Sequence, residues 1–216
     1  MRPLIAVAVA LLLVPVPRLG AASTAPPRPA TPSFDAGALA RAAERAGLRR
    51  GVLMRALAAR ARVLAGGLAA RPVLTVIDYS LPSRARRLWV LDLVRARVLA
   101  HELVAHGRGS GDDLARRFSN QPGSLQSSLG TFLTGTTYYG KHGLSLRLQG
   151  LDPGVNDRAA ERAIVVHGAP YVDAALVPRL GRLGRSQGCP ALSPAVAARI
   201  IDLIRGGSVL YAYYHT

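Results

Sequence analysis

From Pro72 onward the chain is cut into short apolar runs separated by turn-like sequence, and that pattern constrains the fold more than any other feature. Residues 73–79 (VLTVIDY), 87–93 (RLWVLDL) and 98–104 (VLAHELV) have strand length and strand composition, with LPSRA between the first pair. Residues 144–148, 163–167 and 209–214 read as further strands. Residues 193–204 (SPAVAARIIDLI) predict a helix instead: Ser193 suits the N-cap, Pro194 the first helical position, and Gly206-Gly207 the stop. The stretch 107–142, rich in Gly, Ser, Thr and Asn, reads as a long loop, a length that marks function or mobility in a compact domain. The expected class is mostly β with a few helices (α+β).

Upstream the period changes. Ala40, Ala43, Leu48, Val52, Leu53, Leu57 and Val63 recur at roughly helical spacing with arginines between them, and Gly47 and Gly51 predict a break into two short helices. We therefore place an N-terminal helical segment at 34–71 as a cap on a domain at 72–216. Residues 23–33 (STAPPRPATPS) read as a Pro-rich linker. Residues 1–22 read as an export signal: Arg2, an apolar run from Leu4 to Val16, the breakers Pro15 and Pro17, then small residues at Gly20, Ala21 and Ala22. The run is shorter than the roughly 20 residues of a membrane-spanning helix.

Half of the 216 residues are hydrophobic, which suits one domain with a sizeable core and excludes intrinsic disorder. Basic residues number 28 against 12 acidic, a formal charge of +16, and Lys141 is the only lysine. Such an excess favours an anionic partner. An anionic cell envelope fits. Nucleic acid does not, because the chain reads as exported and aromatic residues, at 5%, are too few for stacking platforms. A single cysteine cannot close an internal disulfide, so its neighbours decide whether it is inert or reactive.

Those neighbours point to chemistry. His167 ends an apolar run and is followed by Gly168, the strand-end position from which a scaffold aims a side chain into a cleft. Cys189 sits in Ser186-Gln187-Gly188-Cys189-Pro190. Gly188 lets a substrate carbonyl approach the backbone closely. The amides around it offer donors to an oxyanion. A nearby imidazole lowers a thiol's pKa, and Arg185 adds positive potential.

The segment H-G followed by S-x-G-C resembles the catalytic motif of the L,D-transpeptidases, the YkuD-like enzymes of peptidoglycan, and within them the murein L,D-transpeptidase catalytic domains. The resemblance extends through AHGRGSG (105–111), FSN (118–120), SSLGTFLTGTTYYGKHG (127–143) and LRLQGLDPGVNDRAAERAIVVHGA (146–169). It implies an L,D-transpeptidase-like β-sandwich, and export to the periplasm or cell envelope. It implies that Cys189 attacks a tetrapeptide stem and expels D-alanine, and that an amine from a second stem resolves the acyl-enzyme as a 3→3 cross-link. Water as acceptor would make an L,D-carboxypeptidase. His167 is then the base and Ser186 or a backbone carbonyl its orienting partner. Gly168, Arg185, His106, Asn120 and Tyr138 contact substrate, with His142 a further candidate at the cleft. No metal or organic cofactor is required. Most of the wider family carries His where this chain has Gln187, and often Arg or Asn soon after the cysteine where it has Pro190-Ala191.

Rival motifs are weaker. In His101-Glu102-Leu103-Val104-Ala105-His106 the histidines are five apart, whereas a zinc-peptidase helix needs them four apart. Gly107-Arg108-Gly109-Ser110-Gly111 lacks the lysine of a phosphate loop. Asp78, Asp92 and Asp152 have no context that marks a glycosidase pair. A wall-binding module without turnover would be expected to have lost the nucleophile or the base, and both are present.

Overall fold

The computed structural model describes residues 35–68 and 70–215; the signal and linker readings at 1–22 and 23–33 lie outside them. Helix α1 (Ala36–Arg45) starts where the Asp35 carboxylate accepts the Ala38 amide at 2.8 Å, and α2 (Arg50–Ala65) follows a turn through Gly47 at φ +80°. Gly51 does not break the chain. It lies in the first turn of α2, where burial of Val52 and Leu53 outweighs the weak helix propensity of glycine.

Eight strands follow. β1 (Val73–Asp78), β2 (Leu88–Asp92) and β3 (Arg97–Glu102) form a meander, β4 (Gly130–Gly140) and β5 (Gly143–Gly150) a hairpin, and β6 (Val165–Gly168), β7 (Ala191–Leu192) and β8 (Val209–Tyr213) complete the sheet. The order is β3-β2-β1-β8-β4-β5-β6-β7, with β1–β8 and β6–β7 parallel and the other pairs antiparallel. The two edges meet, because Ala105, just beyond β3, bridges to Ala191 in β7. The result is a nearly closed eight-stranded barrel or sandwich with N-terminal helices, the mostly-β α+β class expected from the sequence. Closure also removes the open edges that invite mispairing.

Both faces of the central strands are covered. Val73 and Ile77 of β1 face an inner cluster, while Leu74 and Val76 face an outer one, which is why β1 reads as a continuous apolar run. Helix α4 (Pro194–Ile204) fills the inner side with Ala197, Ile200, Ile201 and Ile204, an i, i+3, i+4, i+7 stripe. Burying each such isoleucine contributes about 1.5–3 kcal/mol. The outer side belongs to α1, α2 and the turn between them, whose Leu39, Ala43, Leu48, Val52, Leu53 and Val63 pack on Trp89, Leu91 and Val209. Trp89 Nε1 donates to the Ala46 carbonyl at 2.8 Å and fastens the helical pair to the sheet.

The expected loop at 107–142 is shorter than its composition implies. Its last third is β4, a central strand paired to β8 on one side and β5 on the other. Gly, Thr and Tyr masked it, although Thr and Tyr are favoured on a pleated surface. A bulge lies between Thr134 and Thr137, where the Gly206 amide donates to the Gly135 carbonyl. It bends the hairpin whose tip is Lys141-His142. Short elements also escaped the pattern: a 3₁₀ turn (Ala174–Leu176), α3 (Val177–Leu180) and β7.

Leu53→Ala removes a fully buried side chain between helix and sheet and is expected to lower stability by about 2–5 kcal/mol in a urea titration. A loss under about 0.5 kcal/mol, the scale of a surface substitution, would contradict the packing of the helical cap on the sheet.

Candidate active site

Strand pairing brings His167 and Cys189 into one cleft. In β6, His167 lies opposite Ser145 of β5 on one side and Ala191 of β7 on the other, and Cys189 is two residues before Ala191. His167 is 2% exposed. Its Nδ1 lies 2.9 Å from the Gly168 carbonyl, an acceptor only, so we assign the ring proton to Nδ1 and leave Nε2 with its lone pair. Burial pushes the imidazole pKa below its ordinary 6.5; the Gly168 carbonyl works against that, and the nearby His142 and Lys141 reinforce it. His142, at the β4–β5 hairpin tip, stacks on His167 with ring centroids 4.3 Å apart and planes 22° from parallel.

The loop carrying Cys189 is wound by Ser186. Its Oγ donates to the Cys189 carbonyl at 2.6 Å and accepts the Gly188 amide at 3.1 Å. Ser186 therefore shapes the turn, and the Gly168 carbonyl is what orients His167. Gly188 has φ +128°, and a Cβ there would sit 2.9 Å from the Gln126 carbonyl, so only glycine fits. Its amide is taken by Ser186, which leaves the Cys189 amide without an acceptor among the described residues. Gly107 passes beneath at a distance that admits no side chain: a Cβ would collide with the Leu125 carbonyl and lie 2.9 Å from Gly188 Cα. Ser127 Oγ joins the layers, accepting the Gly107 amide at 3.0 Å and donating to the Gly188 carbonyl at 3.2 Å.

Cys189 departs from expectation in its electrostatics. Burial pushes the thiol up from its ordinary range, and the Val165 amide, Arg162 and Lys141 only partly oppose it. At rest the thiol lies 3.7 Å from the Ala163 carbonyl as a weak donor. With the thiol raised and the imidazole lowered from their ordinary ranges, both groups rest neutral at pH 7 in one cleft, the thiol turned to the Ala163 carbonyl. Two cleft residues hold left-handed backbone without being glycine, Ala163 at φ +53° and Leu125 at φ +58°, the kind of strain that collects at functional sites.

Cys189 and His167 share a cleft of about 510 Å³ whose walls include Tyr138, His142, Arg162, Tyr171 and Arg185. Of the residues the sequence nominated for substrate, Tyr138 and Arg185 line it, although the Arg185 guanidinium is held by the Gly111 carbonyl and Asp112. His106 does not reach it. That ring is fully buried, its Nδ1 accepting from Arg87 Nη2 at 2.7 Å, and burial with the adjacent guanidinium lowers its pKa to about 4. Asn120 also lies outside the cleft lining, where it binds Asp157 at 2.6 Å and the Arg158 amide at 3.1 Å. Gly168 acts through its carbonyl, and a Cβ on it would crowd Ala197 at 3.1 Å. Arg162 and Tyr171 went unnoticed in sequence, since a lone Arg in a basic chain and a Tyr in a loop carry no local signal. Arg162 ties the Ser119 and Gln126 carbonyls and the Ser124 and Ser128 hydroxyls together beside the thiol.

A larger groove of about 660 Å³ runs past Arg84, Asp112, Arg116 and Arg117, but it holds neither thiol nor imidazole. Chemistry, not size, selects the smaller cleft. Among the described residues no cluster of three His, Cys, Asp or Glu is placed to hold a metal ion, and no helix is long and apolar enough to cross a membrane.

An imidazole on one strand and a cysteine in the loop entering the adjacent strand of a nearly closed sheet define the class as a β-domain with a cysteine–histidine site. A family model described as the L,D-transpeptidase catalytic domain (YkuD_2) matches residues 44–213, and the chain belongs to that family. Among solved structures it is similar to an L,D-transpeptidase from Mycobacterium smegmatis at 20% identity and TM-score 0.40, covering 66% of this chain and 59% of that one. It is similar to an L,D-transpeptidase from Mycobacterium tuberculosis H37Rv at 14% and 0.38, covering 66% and 58%. The helical cell shape determining protein Pgp2 from Campylobacter jejuni, in variant form, is similar at 13% and 0.45, covering 69% and 49%. The matched portion is thus less than two thirds of each of those chains. No curated protein matches.

Alkylation of Cys189 by iodoacetamide in the resting protein is expected to be slower at pH 7 than that of free cysteine, and to rise only above the ordinary thiol range of about pH 8.5. A midpoint within the range of activated thiolates, about pH 3.5–7.5, would contradict the neutral pair.

Proposed function

We propose that the domain is a cysteine L,D-transpeptidase acting on peptidoglycan tetrapeptide stems, with Cys189 as nucleophile and His167 as base. One observation carries the reading: the Gly168 carbonyl fixes the His167 proton on Nδ1, so Nε2 is an acceptor in the cleft that holds the chain's lone thiol. The family acts on peptidoglycan stems, which supplies the substrate class.

The neutral resting pair sets the order of events. The thiol proton passes to His167 Nε2 as Sγ attacks the carbonyl at the L-centre of the third residue, so charge develops only with substrate in place. The Cys189 amide donates to the oxyanion. Collapse breaks the peptide bond, and D-alanine leaves with the proton from His167. His167 then takes a proton from the amine of a second stem, which attacks the thioester, restores the thiol and forms a 3→3 link. Lys141, Arg162 and Arg185 outnumber Glu161 in the cleft wall, a charge balance suited to the carboxylates of a stem peptide. The overall charge of +16 suits residence in an anionic envelope, and the apolar run near Arg2 suits export to it.

The test is incubation of the protein with disaccharide-tetrapeptide and mass spectrometry of the products. Loss of D-alanine with a 3→3 dimer is expected from the wild type and no product from Cys189→Ala, while His167→Gln slows turnover about 10²–10⁴-fold. Loss of D-alanine without dimer would replace the transpeptidase by an L,D-carboxypeptidase. No Cys189-dependent product from folded, reduced protein would overturn acyl transfer at this site.

A further inference from the structure

We infer that His142 is a positioning residue for His167, its ring serving as the cover that holds the base in one orientation and keeps it neutral. The inference rests on the assignment of His167 as base.

The geometry is specific to this hairpin. Gly140 pairs with Gly143, so Lys141 and His142 form the tip, and Gly143 closes it at φ +71°. Three residues beyond His142, Ser145 lies directly across the sheet from His167. The tip therefore folds back over the strand that carries the base, and the His142 ring lands on one face of the imidazole at 4.3 Å between centroids. His142 itself is exposed, whereas His167 is 2% exposed. An exposed side chain is thus one wall of a buried base.

Two consequences follow from that contact. Nδ1 of His167 is tied to the Gly168 carbonyl, and a ring pressed on its face restricts the remaining rotation, so Nε2 stays aimed into the cleft. The cover also excludes water, which disfavours the imidazolium, and a protonated His142 would repel a second positive ring. Other groups facing the same space are Lys141 on the tip, Tyr138 on β4, Glu161 and Arg162 before β6, Tyr171 after it, and Cys189 with Arg185 in the nucleophile loop. Lys141 and the arginines add to the pressure against a second positive charge, and Glu161 alone opposes it.

Burial and charge repulsion act in the same direction. Removing the cover hydrates His167, relieves the repulsion and raises its pKa, so the acidic limb of activity moves to higher pH. His142→Ala and His142→Phe separate the parts, because phenylalanine keeps the stacked cover and lacks the charge. The measurement is the titration of the His167 ring by NMR in the full-length protein, alongside kcat and KM for the tetrapeptide against pH. In His142→Ala the His167 titration should move upward and kcat fall about tenfold or more with KM little changed, the scale of a misoriented catalytic group. In His142→Phe kcat should return to within about threefold of wild type, with His167 titrating below its value in the alanine variant. An unchanged His167 titration in His142→Ala, or a phenylalanine variant as impaired as alanine, would overturn the inference. The ring titration needs no turnover, so a wild type without Cys189-dependent product would sink the enzymatic reading while the titration still decides whether His142 governs His167.

Discussion

Ala191 is the point on which the site depends. Its backbone pairs with His167 of β6 on one side and with Ala105 on the other, where the Ala105 amide donates to the Ala191 carbonyl at 2.9 Å. The second contact closes the sheet; the first sets His167 beside the strand that the Cys189 loop enters. Cys189 lies two residues upstream, so barrel closure fixes where the turn wound by Ser186 presents it. The loop is pinned again at Ser186, whose amide donates to the His106 carbonyl at 2.9 Å and whose carbonyl accepts the Arg108 amide at 2.8 Å.

The segment that does the pinning is itself held by a buried charge. Arg87 is fully buried, donating to the Val104 carbonyl from Nε and Nη2, to the Leu81 carbonyl from Nη1 and to His106 Nδ1. None of these partners is a carboxylate, and burial lowers the guanidinium pKa to about 10. Carbonyl dipoles and a neutral imidazole replace the water that Arg87 has lost, which is the condition for keeping a buried polar group. His106, expected at the substrate, is instead part of the frame that holds Ala105 and Gly107 against the nucleophile loop. Closure, the buried Arg87 and the glycine at 107 form one mechanical unit beneath the thiol.

Much of this was legible in sequence, and what was hidden has physical reasons. Continuous apolar runs at β1 and β2 announced buried strands, and Ser193-Pro194 with Gly206-Gly207 bracketed α4. The lone thiol beside a glycine and the histidine at a strand end marked the two residues the site is built around. Hidden were the features that depend on distance across the fold. β4 read as loop because its Gly and Thr residues interrupt any alternation, and its bulge has no sequence signature. An imidazole in the motif suggests a lowered pKa at Cys189, while burial, invisible locally, outweighs the Val165 amide, Arg162 and Lys141 and raises it. The His142 stack arises from a hairpin folding over a strand more than twenty positions later, a pairing no spacing rule displays.

The central claim is that Cys189 Sγ is the atom that becomes acylated, and it is tested most directly by trapping. Brief exposure of the protein to tetrapeptide stem, acid quench and intact mass measurement should show an adduct of the stem minus D-alanine. Peptide mapping should place it on Cys189 alone, and His167→Gln should slow its appearance. A protein that releases D-alanine with no adduct on Cys189 at any time, or an adduct on another residue, would contradict the account.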